Sequence, residues 1–256
     1  MSDSTSSPGH EQLSGVFSME TENKIGAGAT RRKVKTTTYY FVESIEDGVV
    51  HYRTLNGFFV PTGNCQKMPA EAFVAHYKPE PEVYEQKTLP ALKQVAKLLA
   101  KAERLRSQGQ PFSAEVEFKK VLGLDESNVR GIYGLGLTFL DQGKTEDAGG
   151  LLKNLVRLDD AFKADNKHMF NEFGIKLRKS KMYDQALAYY ASAYKHARND
   201  ENLCYNIART LYDKGDMEKA AIYVKKALEI RPDFPEAAKM LAAIERLLAK
   251  SGAPAA

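Results

Sequence analysis

ENLCYNIARTLYDKGDMEKAAIYVKKALEIRPDF, residues Glu201–Phe234, is the stretch whose reading decides the fold. Its first half carries Ile207, Ala208 and Leu211 at helical spacing, and its second carries Ala220, Val224, Ala227 and Leu228. Lys214-Gly215-Asp216 stands between them as a turn, since glycine supplies the backbone freedom that a reversal needs. The stretch predicts a helical hairpin.

Working outward, the same frame recurs upstream. Counted from Glu201, Cys204, Ile207, Ala208, Leu211, Ala220, Val224, Ala227 and Pro232 take positions 4, 7, 8, 11, 20, 24, 27 and 32. In 167–200, Phe170, Phe173, Gly174, Leu177, Tyr183, Ala186, Tyr190 and Ala193 fall at positions 4, 7, 8, 11, 17, 20, 24 and 27. In 129–162, Leu135, Gly136, Phe139, Ala148 and Leu152 fall at 7, 8, 11, 20 and 24. In 95–128, Ala102, Ala114 and Phe118 fall at 8, 20 and 24. Four inserted residues, Lys163 to Asn166, separate the second copy from the third.

This pattern resembles the tetratricopeptide repeat, whose period is about 34 residues. The match lies in the small residues; the aromatic common at position 4 is here Cys204, and the tyrosine often at position 11 is Leu211. The resemblance implies a mostly α fold, an α-α superhelical solenoid of four hairpins. Small residues at positions 8 and 20 let paired helices approach, and large ones at 4, 7, 11 and 24 fill the layers between hairpins. A repeat of this kind cannot bury its face alone, so neighbours stack and the ends need caps. The run 235–250, with Leu241, Ile244, Leu247 and Leu248 on one side, reads as the C-terminal cap, and 251–256 as a disordered tail. The solenoid is expected to span 88–250, opening at Thr88 as a helix N-cap with Pro90 in the first turn.

Upstream the pattern changes. Residues 1–33 begin with a Ser-rich polar lead and read as a disordered tail. Within them KIGAGATRRK holds a Gly-x-Gly run beside basic residues, but a phosphate loop needs a strand before it and a helix after it, and the residues beyond Thr30 are basic and then strand-like. Over 34–78 β-branched and aromatic residues predict a small β-meander module. Its hairpin signals are Asp47-Gly48 and Asn56-Gly57, its third strand is FFVP, and a short helix over MPAEAFVAHY covers one face. Residues 79–87 read as a Pro- and charge-rich linker. So small a module has a small core and is expected to lean on the helices C-terminal to it.

A hydrophobic fraction of 43% and a net charge of +4 are ordinary for a globular chain. Residues 1–94 hold 10 Lys+Arg against 11 Asp+Glu, and the remainder 27 against 22, so the mild basic excess sits on the helical part. Dedicated nucleic-acid binders show a clustered basic face. No run approaches the roughly 18 apolar residues of a membrane span, and the first thirty residues lack the apolar core of a signal peptide; the expected location is cytoplasmic. Cys65 has no second ligand at zinc spacing and Cys204 falls at an inward helix position, so neither a disulfide nor a metal site is expected. No nucleophile-base pair, close carboxylate pair or metal-spaced cluster stands out, and no cofactor is implied. The chain reads as a non-enzyme.

If positions 4, 7, 8 and 11 face inward, positions 2, 5, 9 and 12 form a second stripe. In tetratricopeptide proteins this stripe lines a concave groove that receives an extended peptide or a helix, and the resemblance implies the same here. The candidate groove residues are Arg130, Tyr133, His168, Asn171, Arg178, Asn202, Tyr205, Asn206, Arg209, Tyr212 and Lys239. Leu99, Leu137, Leu140 and Ile175 make its first half apolar, whereas its second half mixes Tyr, Arg and Asn, residue types enriched in binding hot spots. Some family members clamp a C-terminal carboxylate with Lys at position 5 and Asn at position 9; here the first repeat offers Leu99 and Glu103 and the third Asn171 and Ile175, so that clamp is missing. The arginines still suit a partner with acidic groups. The expected function is a protein-protein interaction adaptor or scaffold. The alternative is nucleic-acid binding through the β module, where Tyr39, Tyr40, Phe41, Tyr52, Phe58 and Phe59 lie near Arg31, Arg32, Lys33 and Lys35; the competing reading is that these aromatics are the sheet's own core.

Overall fold

The computed structural model describes residues 14–25, 32–163 and 166–251. They divide into two compact units: residues up to Lys101 together with Glu117–Asn128, and Ala102–Val116 together with Val129 onward.

The first unit is built on a five-stranded antiparallel sheet of β1 (Gly15–Ile25), β2 (Arg32–Glu46), β3 (Val49–Leu55), β4 (Pro61–Pro69) and β5 (Lys78–Pro79), in the order β4-β3-β2-β1-β5. β1 lies inside the expected disordered tail. Its sequence GVFSMETENKI alternates apolar and polar residues only over Phe17–Glu20, a short strand signal that the Ser-rich lead before it obscured. Paired with β2 from Gly15↔Val42 to Ile25↔Arg32, it buries Val16 and Phe17. The Gly-rich segment 26–31 lies outside the described residues, as do the tails 1–13 and 252–256.

The Asp47-Gly48 turn is as expected, with both residues at positive φ. Asn56-Gly57 is not a two-residue turn. The Asn56 side chain accepts from the N–H groups of Phe58 (2.9 Å) and Val60 (3.1 Å), and Phe59 takes the positive φ instead of Gly57. The asparagine side chain replaces a backbone turn, and the last meander strand starts at Pro61 rather than Phe58.

On one face of the sheet α1 (Ala70–His76) drops Phe73 into a cluster of Phe17, Tyr40, Val42, Val50, Tyr52 and Tyr77. Phe73 stacks on Tyr77 at 4.2 Å and meets Phe17 and Tyr52 at 5.1 Å. Tyr40 and Tyr52 are therefore core, while Phe58 is exposed and Lys87 lies 4.6 Å over Phe59. The expected linker is structured: β5 adds an edge to β1, and α2 (Pro81–Val83) runs through a π-turn at Tyr84–Thr88 into α3 (Leu89–Ser107). Thr88 is consequently buried inside a helical run and does not act as a cap. The segment Glu117–Asn128 belongs to the same unit. Asn56 donates to the Leu124 carbonyl (2.7 Å), and Ser127 Oγ lies 2.9 Å from both Thr62 Oγ1 and Gly63 N.

The remaining helices form hairpins. α4 (Pro111–Leu124) comes after α3, then α5 (Val129–Asp141) with α6 (Thr145–Leu155), α7 (Lys167–Lys179) with α8 (Tyr183–His196), and α9 (Glu201–Lys214) with α10 (Met217–Ile230); α11 (Pro235–Ser251) closes the series against α10. Each hairpin closes on its small pair. Ala102, Ala114, Ala148, Ala186, Ala208 and Ala220 are all fully buried. Where position 8 is glycine, an aromatic ring occupies the space a Cβ would take: Phe173 against Gly136 and Tyr190 against Gly174. Cys204 is buried, as expected, and Cys65 lies half-exposed on β4.

Position 15 of every repeat is left-handed. Gly109, Gly143 and Gly215 hold φ of 71°, 76° and 94°, but the third repeat places Lys181 there at 60°. A side chain in this region costs about 1 kcal/mol or more. Lys181→Gly is therefore expected to raise stability by up to about 1 kcal/mol, less the added entropy of the unfolded glycine. Urea melts of the two proteins check this, and a variant less stable than wild type would show that Lys181 makes a compensating contact.

Candidate functional site

The candidate groove residues belong to the second unit, on α5, α7, α9 and α11, and the structure separates them into two groups. In the first group the inner face is closed. All ten residues from Gly131 to Leu140 are buried, so α5 offers no open stripe. Tyr133, expected to line the groove, has no exposed surface; its hydroxyl donates to the Ala161 carbonyl (2.9 Å), and the Tyr189 hydroxyl lies 2.8 Å from it and 3.2 Å from the Phe170 carbonyl. Burial raises the pKa of both phenols, so this is a neutral structural network. The position-5 stripe was assigned by helical geometry for a groove-lining helix, and α5 is instead a central helix covered all round. Leu99, Leu137 and Leu140 are likewise buried.

Charges on this part of the inner face are also committed. Arg130 is bidentate to Glu103 at 2.8 and 2.9 Å. Arg106 reaches Glu172 at 2.9 Å and Asp141 at 3.5 Å, and Lys176 meets Asp141 at 2.6 Å. Arg178, expected as an open groove arginine, is only 8% exposed and is ion-paired with Asp213 of α9. Buried arginines persist only when paired; its role is to hold α7 to α9. Asn171 and Asn206 are half-buried and face each other at 3.5 Å across the same two helices. His168 is exposed in the first turn of α7, and the Asn202 side chain donates to Glu201.

The second group is brought together. Tyr205, Arg209 and Tyr212 of α9 and Lys239 of α11 line one open cavity of about 440 Å³ with Asp213, Glu236, Met240 and Ala243. Tyr205 is braced by Phe234 (ring centroids 4.8 Å) and by the Arg209 guanidinium at 5.8 Å, and Arg231 lies 3.8 Å over Phe234. α9 is well ended: Asp200 caps it by accepting from the N–H groups of Asn202 and Leu203, and Gly215 stops it in a left-handed turn. Among the described residues neither Arg209 nor Lys239 has a carboxylate partner. Four side chains of this cavity, Glu236, Lys239, Met240 and Ala243, come from the cap, of which only Lys239 was anticipated. The missing signal was available: continuing the frame into 235–250 puts Glu236, Lys239 and Ala243 at positions 2, 5 and 9.

In the first unit, the basic rim of the alternative reading is compensated. Lys33 pairs with Glu22 (3.2 Å) and Lys35 with Glu20 (3.8 Å), both carboxylates lying on β1; Arg31 lies outside the described residues. Among the described residues no group of three or more His, Cys, Asp or Glu is placed to hold a metal, and no helix is long and apolar enough to cross a membrane.

Stacked hairpins with small residues at their crossings and an aromatic-cationic end to the inner face define a helical repeat scaffold. Residues 177–244, from the end of α7 into α11, match the family model for the tetratricopeptide repeat. Over those residues the chain carries the tetratricopeptide repeat. A segment of 130 residues is 29% identical to the protein CTR9 homolog of Arabidopsis thaliana, covering 47% of this chain; the chain spans only 11% of that relative's length. Among solved structures it is similar to MamA from Desulfovibrio magneticus RS-1 (20% identity, 59% of this chain and 83% of that one, TM-score 0.45). It is also similar to PilF from Pseudomonas aeruginosa (18% identity, 63% and 71%, TM-score 0.48).

Proposed function

We propose that this tetratricopeptide-repeat protein is an interaction scaffold that takes a peptide or helix of a partner protein at the α9–α11 end of its inner face. The observation that carries the reading is the open cavity holding Tyr205, Arg209, Tyr212 and Lys239. Among the described residues Arg106, Arg130, Lys176 and Arg178 of that face are paired with carboxylates, whereas Arg209 and Lys239 have no carboxylate partner and lie beside the two tyrosines. Rigid aromatic area next to a multidentate donor is the composition of a binding hot spot. The cations favour acidic groups on the partner, and Asp213 and Glu236 on the rim set a register rather than a uniform positive field.

The test is capture of binding proteins from native lysate by wild type and by the Tyr205→Ala, Arg209→Glu variant. A specific partner is expected to be retained by wild type and to bind the variant about 30-fold or more weakly, the loss typical of a hot-spot pair, with helical circular dichroism unchanged. Equal retention by both proteins would remove the assignment. A catch that nuclease treatment or moderate salt abolishes would move attention to the β module, because phosphate contacts weaken steeply with salt.

A further inference from the structure

A second site lies away from the α9–α11 cavity, between the turn that precedes α7 and the junction of α8 with α9. After α6 the chain forms a 3-10 turn at Asp159–Phe162, just ahead of the four residues that exceed the repeat period. That turn sets Phe162 flat against His196 at the end of α8 (ring centroids 5.5 Å, 12° between planes) and edge-on to Phe170 at 5.9 Å. Together with Phe170, Ala193 and Leu203, Phe162 walls an apolar chamber of about 280 Å³. A wider cavity of about 700 Å³, edged by Lys167, Lys195, His196 and Arg198, shares Lys167, His196, Ala197 and Asp200 with the chamber and forms its mouth side.

Two quantities decide what fits. The chamber, about 280 Å³ with apolar walls, has room for a single bulky side chain. The charges of the mouth are unbalanced, because its two carboxylates are already engaged. Asp200 accepts from Asn202 N and Leu203 N and pairs with Lys167 at 2.8 Å, and Glu201 pairs with Arg231 at 3.2 Å. Lys195 and Arg198 have no carboxylate partner among the described residues. We propose that this pocket binds an acidic peptide, seating one aromatic or large aliphatic side chain against Phe162 and Phe170 with the flanking carboxylates on Lys195 and Arg198. The site is independent of the inner-face cavity, so the scaffold engages acidic polypeptide at two places and the second contact gains from the effective concentration set by the first.

The test is fluorescence anisotropy of the full chain with a fluorescein-labelled peptide, Glu-Asp-Phe-Asp-Glu. Saturable binding is expected, weakened tenfold or more in the Lys195→Glu, Arg198→Glu variant and again in Ala197→Phe, which plugs the half-exposed mouth. No saturation, or equal binding of a peptide with alanine in place of phenylalanine, would overturn the proposal. Loss in Arg209→Glu alone would place the probe in the inner-face cavity. Displacement by phenylacetate as effective as by unlabelled peptide would assign a small aromatic acid instead, and a dimer in sedimentation velocity that Ala197→Phe dissolves would assign a second copy of the chain.

Discussion

Gly174→Ala is expected to destabilise the helical hairpins by about 3 kcal/mol, the upper end of the range for overpacking a core. An added Cβ would come within 2.5 Å of Cε1 and Cζ of Tyr190, closer than packed atoms are found. The ring cannot retreat easily. Tyr190 is itself fully buried, with Phe170 and Tyr189 both 5.9 Å from it. Its hydroxyl has no hydrogen-bond partner among the described residues, so Tyr190→Phe removes only the nearest atom and leaves the ring carbons in conflict. Tyr190→Leu removes the conflicting carbons. Urea melts of the two single variants and of Gly174→Ala, Tyr190→Leu should therefore show the double variant more stable than the sum of the singles by at least about 1 kcal/mol. Simple additivity would mean that helix α7 shifts to accept the methyl group and that the clash is not what fixes glycine there.

Phe73→Ala is expected to cost about 3–5 kcal/mol, the usual range for a buried phenylalanine. The ring has no exposed surface and lies at the centre of the aromatic contacts that hold α1 to the sheet. In a unit with so small a core, a loss of this size approaches the whole stability available. Hydrogen exchange followed by mass spectrometry should show β2 and β3 amides losing about two to three orders of magnitude of protection, while α9 and α10 amides keep theirs. An equal loss in α9 and α10 would mean that the two compact units open as one.

The helical part was legible because its periodicity is redundant. Four copies of one steric rule, small at positions 8 and 20 and large between hairpins, fix the hairpins even where the aromatic at position 4 is replaced by Cys204. The sheet was only partly legible. Asp47-Gly48 announces its turn through backbone chemistry, but β1 comes directly after a polar lead and alternates over only a few residues, so its flanking glycines read as part of a polar tail. At Asn56 the deciding interaction is a side chain bonding two residues and four residues ahead, which a dipeptide rule does not encode.

For the candidate site, one physical distinction separates what was read correctly from what was not. Helical spacing identifies which residues share a face, but not whether that face is open. Tyr133 and Tyr205 hold the same position in their repeats, yet the first is sealed in a hydroxyl network and the second lines a cavity. The difference lies in neighbours distant in sequence. Arg178 fails for a related reason: its partner Asp213 is 35 residues away, one repeat plus one residue, a separation that pairs charges between adjacent first helices and is invisible within a single repeat.

The placement of the two cysteines gives the chain a built-in pair of reporters. A thiol-directed label added to the folded protein should attach at the half-exposed Cys65 and spare Cys204, which has no exposed surface and whose thiol pKa is pushed up by burial. Because Cys204 sits in the inward stripe of α9, the slow second equivalent of label counts openings of the very helix that carries Tyr205 and Arg209. The rate of that second labelling, with and without a candidate ligand present, turns occupancy of the neighbouring cavity into a clock that needs no engineered probe.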